Sequence, residues 1–340
     1  MKQAVMTAPG AIEFRDVPNP ITGEGMLLLR ILRIGVCGSD IHVYHGKHPY
    51  TKYPVVQGHE VSARVEEVGT GVSGFVPGDL VTVMPQVFCG ECYPCRTGRY
   101  NICESLKVMG FQTTGMASEY FSAPASKCLK LPEGVSPEEG AMIEPLAVAV
   151  HALSRAGDVA GKSIVVYGAG PIGNLVAQSA GGLGAARVLV SDTSDHRLEI
   201  AGTCGIAYKV NPAKDDFAKR LGEVFGPDGA DIALECVGVE TTMTQAVSLA
   251  RKGSLIIVVG VFGERPRVDL GLVQDRELSL VGTLMYREED YRKAIDLVVS
   301  KRVRLGPLMS AHFPFDRYLD AYRFIEGNRD KSMKVFIDVS

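Results

Sequence analysis

The chain has 340 residues, with 36 Lys and Arg against 39 Asp and Glu, a formal charge of −3 and a pI near 6.2. Hydrophobic residues make up 46% and charged residues 22%, ordinary values for a chain of roughly two domains with a sizeable core. These figures exclude a disordered chain, a collagen and a coiled coil, and argue against a nucleic-acid-binding or polybasic membrane surface.

The first segment, MKQAVMTAPG, has too short an apolar run for a signal peptide. Cysteines stand at 37, 89, 92, 95, 103, 128, 204 and 236, which in a chain this long is not a disulfide scaffold. The protein therefore reads as cytoplasmic. From Met1 to about Leu131, short β-like runs such as Met26–Ile34, Val61–Val68 and Leu80–Met84 are broken by Gly and Pro. They predict an all-β module whose loops carry function. Ser136-Pro137-Glu138-Glu139 then supplies an N-cap serine, a proline at the first helical position and a glutamate three residues after the cap. A helix should follow, bent or interrupted where Pro145 disfavours helix at Glu144.

From Lys162 strand and helix patterns alternate. The strand-like runs are Ile164–Tyr167, Arg187–Ser191, Ala207–Val210, Ile232–Glu235, Leu255–Val259 and Leu278–Gly282. Helical segments between them include Asp195–Cys204, Pro212–Phe225 and Glu240–Ala250. This predicts a parallel doubly wound sheet. Ser163 to Ala186 lacks any charge and is long enough to cross a bilayer, but its glycines, Pro171, Asn174 and Gln178 fit a buried strand–turn–helix better. After Tyr286, two amphipathic helical segments precede Lys334–Val339, a tail expected to pack back onto the first module. The expected divisions are 1–148, 149–286 and 287–340.

Gly168-Ala169-Gly170-Pro171-Ile172-Gly173 follows a strand and opens a helix, with Asp192 ending the next strand. GxGxxG alone is weak evidence, but this context is the one a dinucleotide site requires. The first glycine turns the chain, the second admits a pyrophosphate and the third lets helix and strand pack closely. Asp192 suits ribose hydroxyls and repels a 2′-phosphate, which favours NAD over NADP. Gly161-Lys162-Ser163 ends like a P-loop, but Ala156 replaces the needed glycine and a strand follows.

Cys89-x2-Cys92-x2-Cys95-x7-Cys103 has the short gaps of four thiolates around one ion, with Gly90 and Gly98 permitting tight turns. Four sulfurs make a closed, structural zinc site. The competing iron–sulfur reading expects a three-residue closing gap and Cys-Pro, whereas Cys103 follows seven residues and precedes Glu104. Cys37, His59, Glu60 and Glu144 are the remaining zinc-ligand types, and three protein ligands would leave a position open for substrate. Spacing alone does not assemble them, since a lone Cys or His is more often simply packed.

Gly58-His59-Glu60, the four-cysteine segment, Glu144-Pro145-Leu146 and GxGxxG, in this order, resemble the zinc-dependent medium-chain alcohol dehydrogenases. Cys37-Gly38-Ser39-Asp40-Ile41-His42 is similar to the sorbitol/polyol and threonine dehydrogenase branch. The resemblance spans essentially the whole chain. It implies a GroES-like β domain carrying two zinc ions, one catalytic and one structural, a Rossmann domain, a cleft between them, and a homo-oligomer, a tetramer in preference to a dimer. It implies Cys37 and His59 as catalytic zinc ligands. Glu60 or Glu144 completes the shell, directly or through water, and the two are candidates for exchange during turnover. It implies Ser39 as the first member of a proton relay, His42 as a later one, and Asp40 as orienting this loop or a ligand. A plain turn carboxylate is the other reading of Asp40. It further implies NAD bound by Gly168, Gly170, Pro171, Ile172, Gly173, Asp192 and Arg197, with Val259, Val261 and Thr283 near the nicotinamide.

Two departures from the family pattern stand out. Ala63 stands where the family usually has glycine. Met285 stands where the polyol branch often has arginine before a tyrosine, and Arg287 follows Tyr286 instead, which counts against sorbitol itself. Tyr44 borders the pocket or is an ordinary half-buried tyrosine, while His45 and His48 match no motif and read as loop or rim residues. The expected reaction is hydride transfer between a secondary alcohol (polyol, sugar alcohol or sugar acid) and NAD. The rivals are a threonine 3-dehydrogenase-like enzyme, whose charged substrate Lys47, Lys52 or Arg287 could meet, and a non-catalytic zinc protein sensing redox through NAD.

Overall fold

The computed structural model describes residues 1–340. The chain forms two compact units, Met1–Glu144 with Met309–Ser340, and Pro145–Leu308. In the first, a seven-stranded sheet runs in the order Met309–Pro314, Lys334–Asp338, Met26–Val36, Glu60–Val68, Leu80–Val83 and Cys128–Lys130, with Tyr120–Pro124 also paired to Met26–Val36. Leu27, Leu29, Ile31 and Ile34 of the central strand pack with Val61, Ala63, Val65, Val81, Val335 and Ile337 into one core. Burying these apolar side chains drives the assembly.

Register decides where the chemistry falls. Met26–Val36 is antiparallel to Glu60–Val68, with Gly35 opposite Glu60. Lys334–Asp338 is antiparallel to it on the other side, with Val335 opposite Val36. The end of one strand, at Cys37, therefore meets the starts of two others, at Glu60 and Lys334.

The second unit holds a six-stranded sheet in the order Tyr208–Val210, Arg187–Ser191, Ser163–Tyr167, Ile232–Glu235, Leu255–Val258 and Ser279–Gly282, and every pair in it is parallel. All six strand-like runs of the sequence occupy it. The chain order reverses between Ser163–Tyr167 and Ile232–Glu235, the point at which such sheets bind ligands beyond their carboxyl ends. The uncharged Ser163–Ala186 stretch is a strand, a turn and the helix Pro171–Gly182, and no helix is long and apolar enough to cross a membrane.

Local chemistry explains the differences from expectation. The helix expected from Pro212 begins at Phe217, because Asp216 caps it through its carboxylate and the Lys219 N–H at 3.0 Å. The interruption expected at Pro145 falls earlier, at Met142, between helices Pro137–Ala141 and Ile143–Ser154. Pro145 then sits in the second helix's first turn, where no backbone bond is lost.

The tail after Tyr286 divides. Helix Tyr318–Gly327 and strand Lys334–Asp338 join the first unit, but helix Glu288–Val299 stays with the second. A buried pair holds it there: His151 Nδ1 lies 2.7 Å from Asp290 Oδ2, with both side chains at most 5% exposed. The Tyr286 ring meets Tyr291 edge-on, and the Gln178 Oε1 accepts the Arg304 N–H at 2.6 Å. Breaking a buried pair from one side strands the other group without water. Asp290→Ala should therefore lower stability by about 3 kcal/mol in urea unfolding; a loss under about 0.5 kcal/mol would assign the helix's attachment to its apolar face alone.

Candidate functional site

Cys37 caps the short helix Gly38–Tyr44, Glu60 opens the neighbouring strand and His59 immediately precedes it. The thiol, imidazole and carboxylate of these three have ligand atoms within 4.8 Å of one another. His59 and Glu60 are buried. Gly35 leaves room for the carboxylate, since a Cβ there would stand 2.3 Å from Glu60 Oε2. His59 Nδ1 is buried with no hydrogen-bond partner and faces Asp40 Oδ1 at 3.5 Å. Burial opposes charging His59, but Asp40 and Cys37 outweigh it and hold the imidazole pKa well above its ordinary value. A site that draws positive charge onto a buried nitrogen beside a thiol and a carboxylate fits a divalent cation of zinc type. Glu144 is buried close enough to act on Lys334, but it lies outside the three-residue group.

Asp40 contacts both the loop and the imidazole. Its Oδ2 accepts the Cys37 N–H at 2.9 Å and its Oδ1 accepts from Gln57 Nε2 at 3.1 Å. The Tyr322 hydroxyl in turn donates to Gln57 Oε1 at 2.8 Å. A buried chain thus runs from His59 to helix Tyr318–Gly327. Ser39, half-buried, and His42, exposed, lie three residues apart on one helix face, with no hydrogen bond between them.

Several neighbours take places the sequence left open. Tyr44 is half-buried and packs on Tyr322, ring centres 5.3 Å apart. His45 pairs with Glu326 of helix Tyr318–Gly327. His48, a half-buried loop residue, stacks on Phe111 at 4.8 Å, and Phe111 meets His59 at 4.9 Å. Its ring nitrogen also bonds the Thr51 hydroxyl at 2.8 Å. Burial, with His42, lowers the His48 pKa.

Lys334 escaped sequence reasoning altogether. Its Nζ donates to both Glu60 oxygens, at 2.7 and 2.6 Å, with 4% and 1% of the two side chains exposed. Burial pushes its pKa down, but Glu60 and Cys37 push harder and the net direction is up. Only strand register signals this pairing, since the partners are 274 positions apart in the chain.

Cys89, Cys92, Cys95 and Cys103 form the second group, again with ligand atoms within 4.8 Å of one another. Gly90 and Gly98 take φ of +80° and +74°, the left-handed turns that bring the sulfurs round. The Cys92 thiol is drawn down to about 6 by backbone N–H groups at Glu104 and Cys95, while burial and then Cys92 push Cys95 up to about 12. Four sulfurs gathered this closely suit one central cation. Every cysteine of the chain is free.

In the second unit, Gly168 follows its strand at φ +96°, Gly170 caps helix Pro171–Gly182, and Pro171 is its first residue. Each glycine has its own reason. A Cβ on Gly173 would stand 1.9 Å from Gly168 O, whereas one on Gly170 would meet nothing nearer than the Arg197 guanidinium at 4.0 Å. Ile172 follows on the same first turn. Open backbone, a helix N-terminus and a guanidinium together suit an anion. Asp192 is held by the Ala169 and Ser194 N–H groups, both at 2.8 Å, and lies 3.7 Å from Arg197. Val259 donates to the Glu235 carbonyl at 2.8 Å, Val261 is 80% exposed, and Thr283 Oγ1 is buried without a hydrogen-bond partner. Met285 takes a left-handed φ of +49°, and Arg287 pairs with Glu289 at 3.0 Å.

Lys334→Met, made in chelator-treated protein, should cost about 3–5 kcal/mol in urea unfolding, because Glu60 loses its buried partner. Lys334→Arg should recover part of that loss. Equal stability of all three proteins would remove the pair from the account.

Residues 23–133 match the alcohol dehydrogenase GroES-like domain and residues 171–300 the zinc-binding dehydrogenase family. The chain is 36% identical over 315 residues to 2-dehydro-3-deoxy-L-galactonate 5-dehydrogenase of Pseudoalteromonas atlantica, covering 92% of each. It is 32% identical over 336 residues to L-threonine 3-dehydrogenase of Pyrococcus horikoshii, covering 97% of this chain and 96% of that one. A solved zinc-binding dehydrogenase from Sinorhizobium meliloti, bound to NADP, has a TM-score of 0.91 at 29% identity, covering 99% of each chain. An Escherichia coli alcohol dehydrogenase complexed with NADH has a TM-score of 0.92 at 29% identity, covering 100% of this chain and 99% of that one. Both domain families, in this order, and relatives matched along their length lead to one conclusion: the chain belongs to the zinc-dependent medium-chain alcohol dehydrogenases.

Proposed function

We propose that the protein transfers hydride between a secondary alcohol and NAD, using two zinc ions per chain. The observation that carries this reading is the convergence of Cys37, His59 and Glu60, whose ligand atoms lie within 4.8 Å of one another. Zinc supplies Lewis acidity that lowers the pKa of a hydroxyl, and the nicotinamide supplies the hydride acceptor. The chain's own residues do the rest. Cys37 and His59 grip the cation, and Asp40 fixes the loop of one and faces the ring of the other. Glu60, held by Lys334, completes the shell, with Glu144 as the carboxylate in reserve. Ser39 takes the alcohol proton and His42, exposed to solvent, releases it. Cys89, Cys92, Cys95 and Cys103 hold the structural zinc.

NAD is proposed over NADP because Asp192 places a carboxylate at the end of the strand after the glycine turn. Among substrates, a sugar acid or polyol is preferred. Lys47 and Lys52, exposed beyond the site helix, offer charge for a carboxylate, and a relative acting on a sugar acid is 36% identical. We further propose a cytoplasmic homo-oligomer, a tetramer in preference to a dimer. Ser279–Gly282 is an edge strand, and Val261, Leu270 and Leu284 are exposed at 80%, 68% and 51%. All eight cysteines being unpaired suits a reducing compartment.

Cys37→Ser should lower NAD reduction by secondary alcohols about a thousandfold while NADH still binds; full activity in that variant would sink the catalytic-zinc assignment. Asp192→Gly should weaken NAD and raise the NADP/NAD preference about tenfold in steady-state kinetics. An unchanged preference would remove Asp192 as the discriminating residue.

A further inference from the structure

Glu235 ends the strand Ile232–Glu235 and has no exposed surface. A buried carboxylate is costly unless it is well hydrogen-bonded. No basic side chain pairs with Glu235. Its Oε1 accepts the Val237 N–H at 2.9 Å, the Gly238 N–H at 3.0 Å and the Thr242 hydroxyl at 2.7 Å, and its Oε2 accepts the Gly238 N–H at 3.1 Å. Its backbone carbonyl accepts the Val259 and Gly260 N–H groups, both at 2.8 Å. One residue thereby holds two strand-end loops, 236–239 and 259–261.

The loops interlock at glycines. A Cβ on Gly260 would stand 2.2 Å from Gly238 N and 2.6 Å from Glu235 Oε2, and one on Gly238, at φ +81°, would stand 2.5 Å from Val261 O. The crossing lies at the carboxyl ends of the parallel strands. It touches the glycine-rich turn, because a Cβ on Gly168 would stand 2.7 Å from Val237 Cγ2. From this tightly held backbone Val237, Val239 and Val261 project, 44%, 45% and 80% exposed. Apolar side chains held out on an interlocked backbone suit a flat, weakly polar ring.

We infer that Glu235 is a positioning residue for the nicotinamide half of the cofactor. It fixes the two loops in advance, so the ring meets a formed apolar surface and no loop must order on binding. This rests on the reading that the dinucleotide's pyrophosphate lies at Gly168–Gly173. Glu235 acts through the loops and touches no reacting atom.

The test is calorimetric titration of the holoenzyme with NADH and, separately, with ADP-ribose, which lacks the nicotinamide. In Glu235→Gln an amide must face N–H groups that now find a carboxylate. NADH affinity should fall about tenfold while ADP-ribose affinity stays within about twofold. Thr242→Val should show a smaller split of the same sign. Gly260→Ala, whose Cβ forces the loops apart, should reproduce the split and carries the test if Glu235→Gln does not fold. Unchanged NADH affinity, or equal losses for both ligands, overturns the inference. Wild-type protein that binds ADP-ribose but gains nothing from the nicotinamide overturns it while leaving the glycine turn's role intact. Wild-type protein that binds neither ligand removes the cofactor reading and this inference with it.

Discussion

Charge taken out of water where three strands end is the constraint on which the first unit's site depends. Glu60 and Lys334 are both buried, and a thiol, an imidazole and the Asp40 carboxylate crowd the same space. Such groups persist in a folded chain only if each is matched by an opposite charge or a hydrogen bond. The sheet supplies the matching. Gly35 opposite Glu60 and Val335 opposite Val36 bring the lysine to the carboxylate and the thiol to the imidazole. Cys37, His59 and Glu60 are left with ligand atoms within 4.8 Å of one another, and that donor set is the chemical argument for a metal there.

The second unit solves a different problem with different means. It must admit an anionic, extended ligand against bare backbone, so its devices are omitted side chains. Gly173 removes a Cβ that would strike the chain, and Gly170 leaves open space before a helix N-terminus. Glu235 then uses a buried carboxylate to tie two loops that glycine alone would leave loose. The first unit places ionisable groups, and the second shapes backbone.

What the sequence disclosed follows the range of each interaction. The glycine turn and the four-cysteine segment are local: their residues lie within a few positions, and turn geometry alone closes them. The six strands of the parallel sheet were legible because most are short, largely apolar runs alternating with helical segments. Cys37 follows one strand and His59 precedes another, and they required family resemblance to be joined. Lys334 and Glu60 are joined only by register, which no local pattern encodes, so the lysine went unseen. Helix Glu288–Val299 carries an amphipathic pattern that says it packs, but its choice of unit rests on His151, far back in the chain. His48 lies in a loop, and its stacking on Phe111 has no signature in neighbouring residues.

Zinc content settles whether the buried donors do what their arrangement suggests. Mass spectrometry of the purified chain should find two zinc ions per chain, and one in the Cys37→Ala/His59→Ala double variant. Two ions retained by that variant, or a single ion in the unaltered chain, would contradict a metal held by Cys37 and His59.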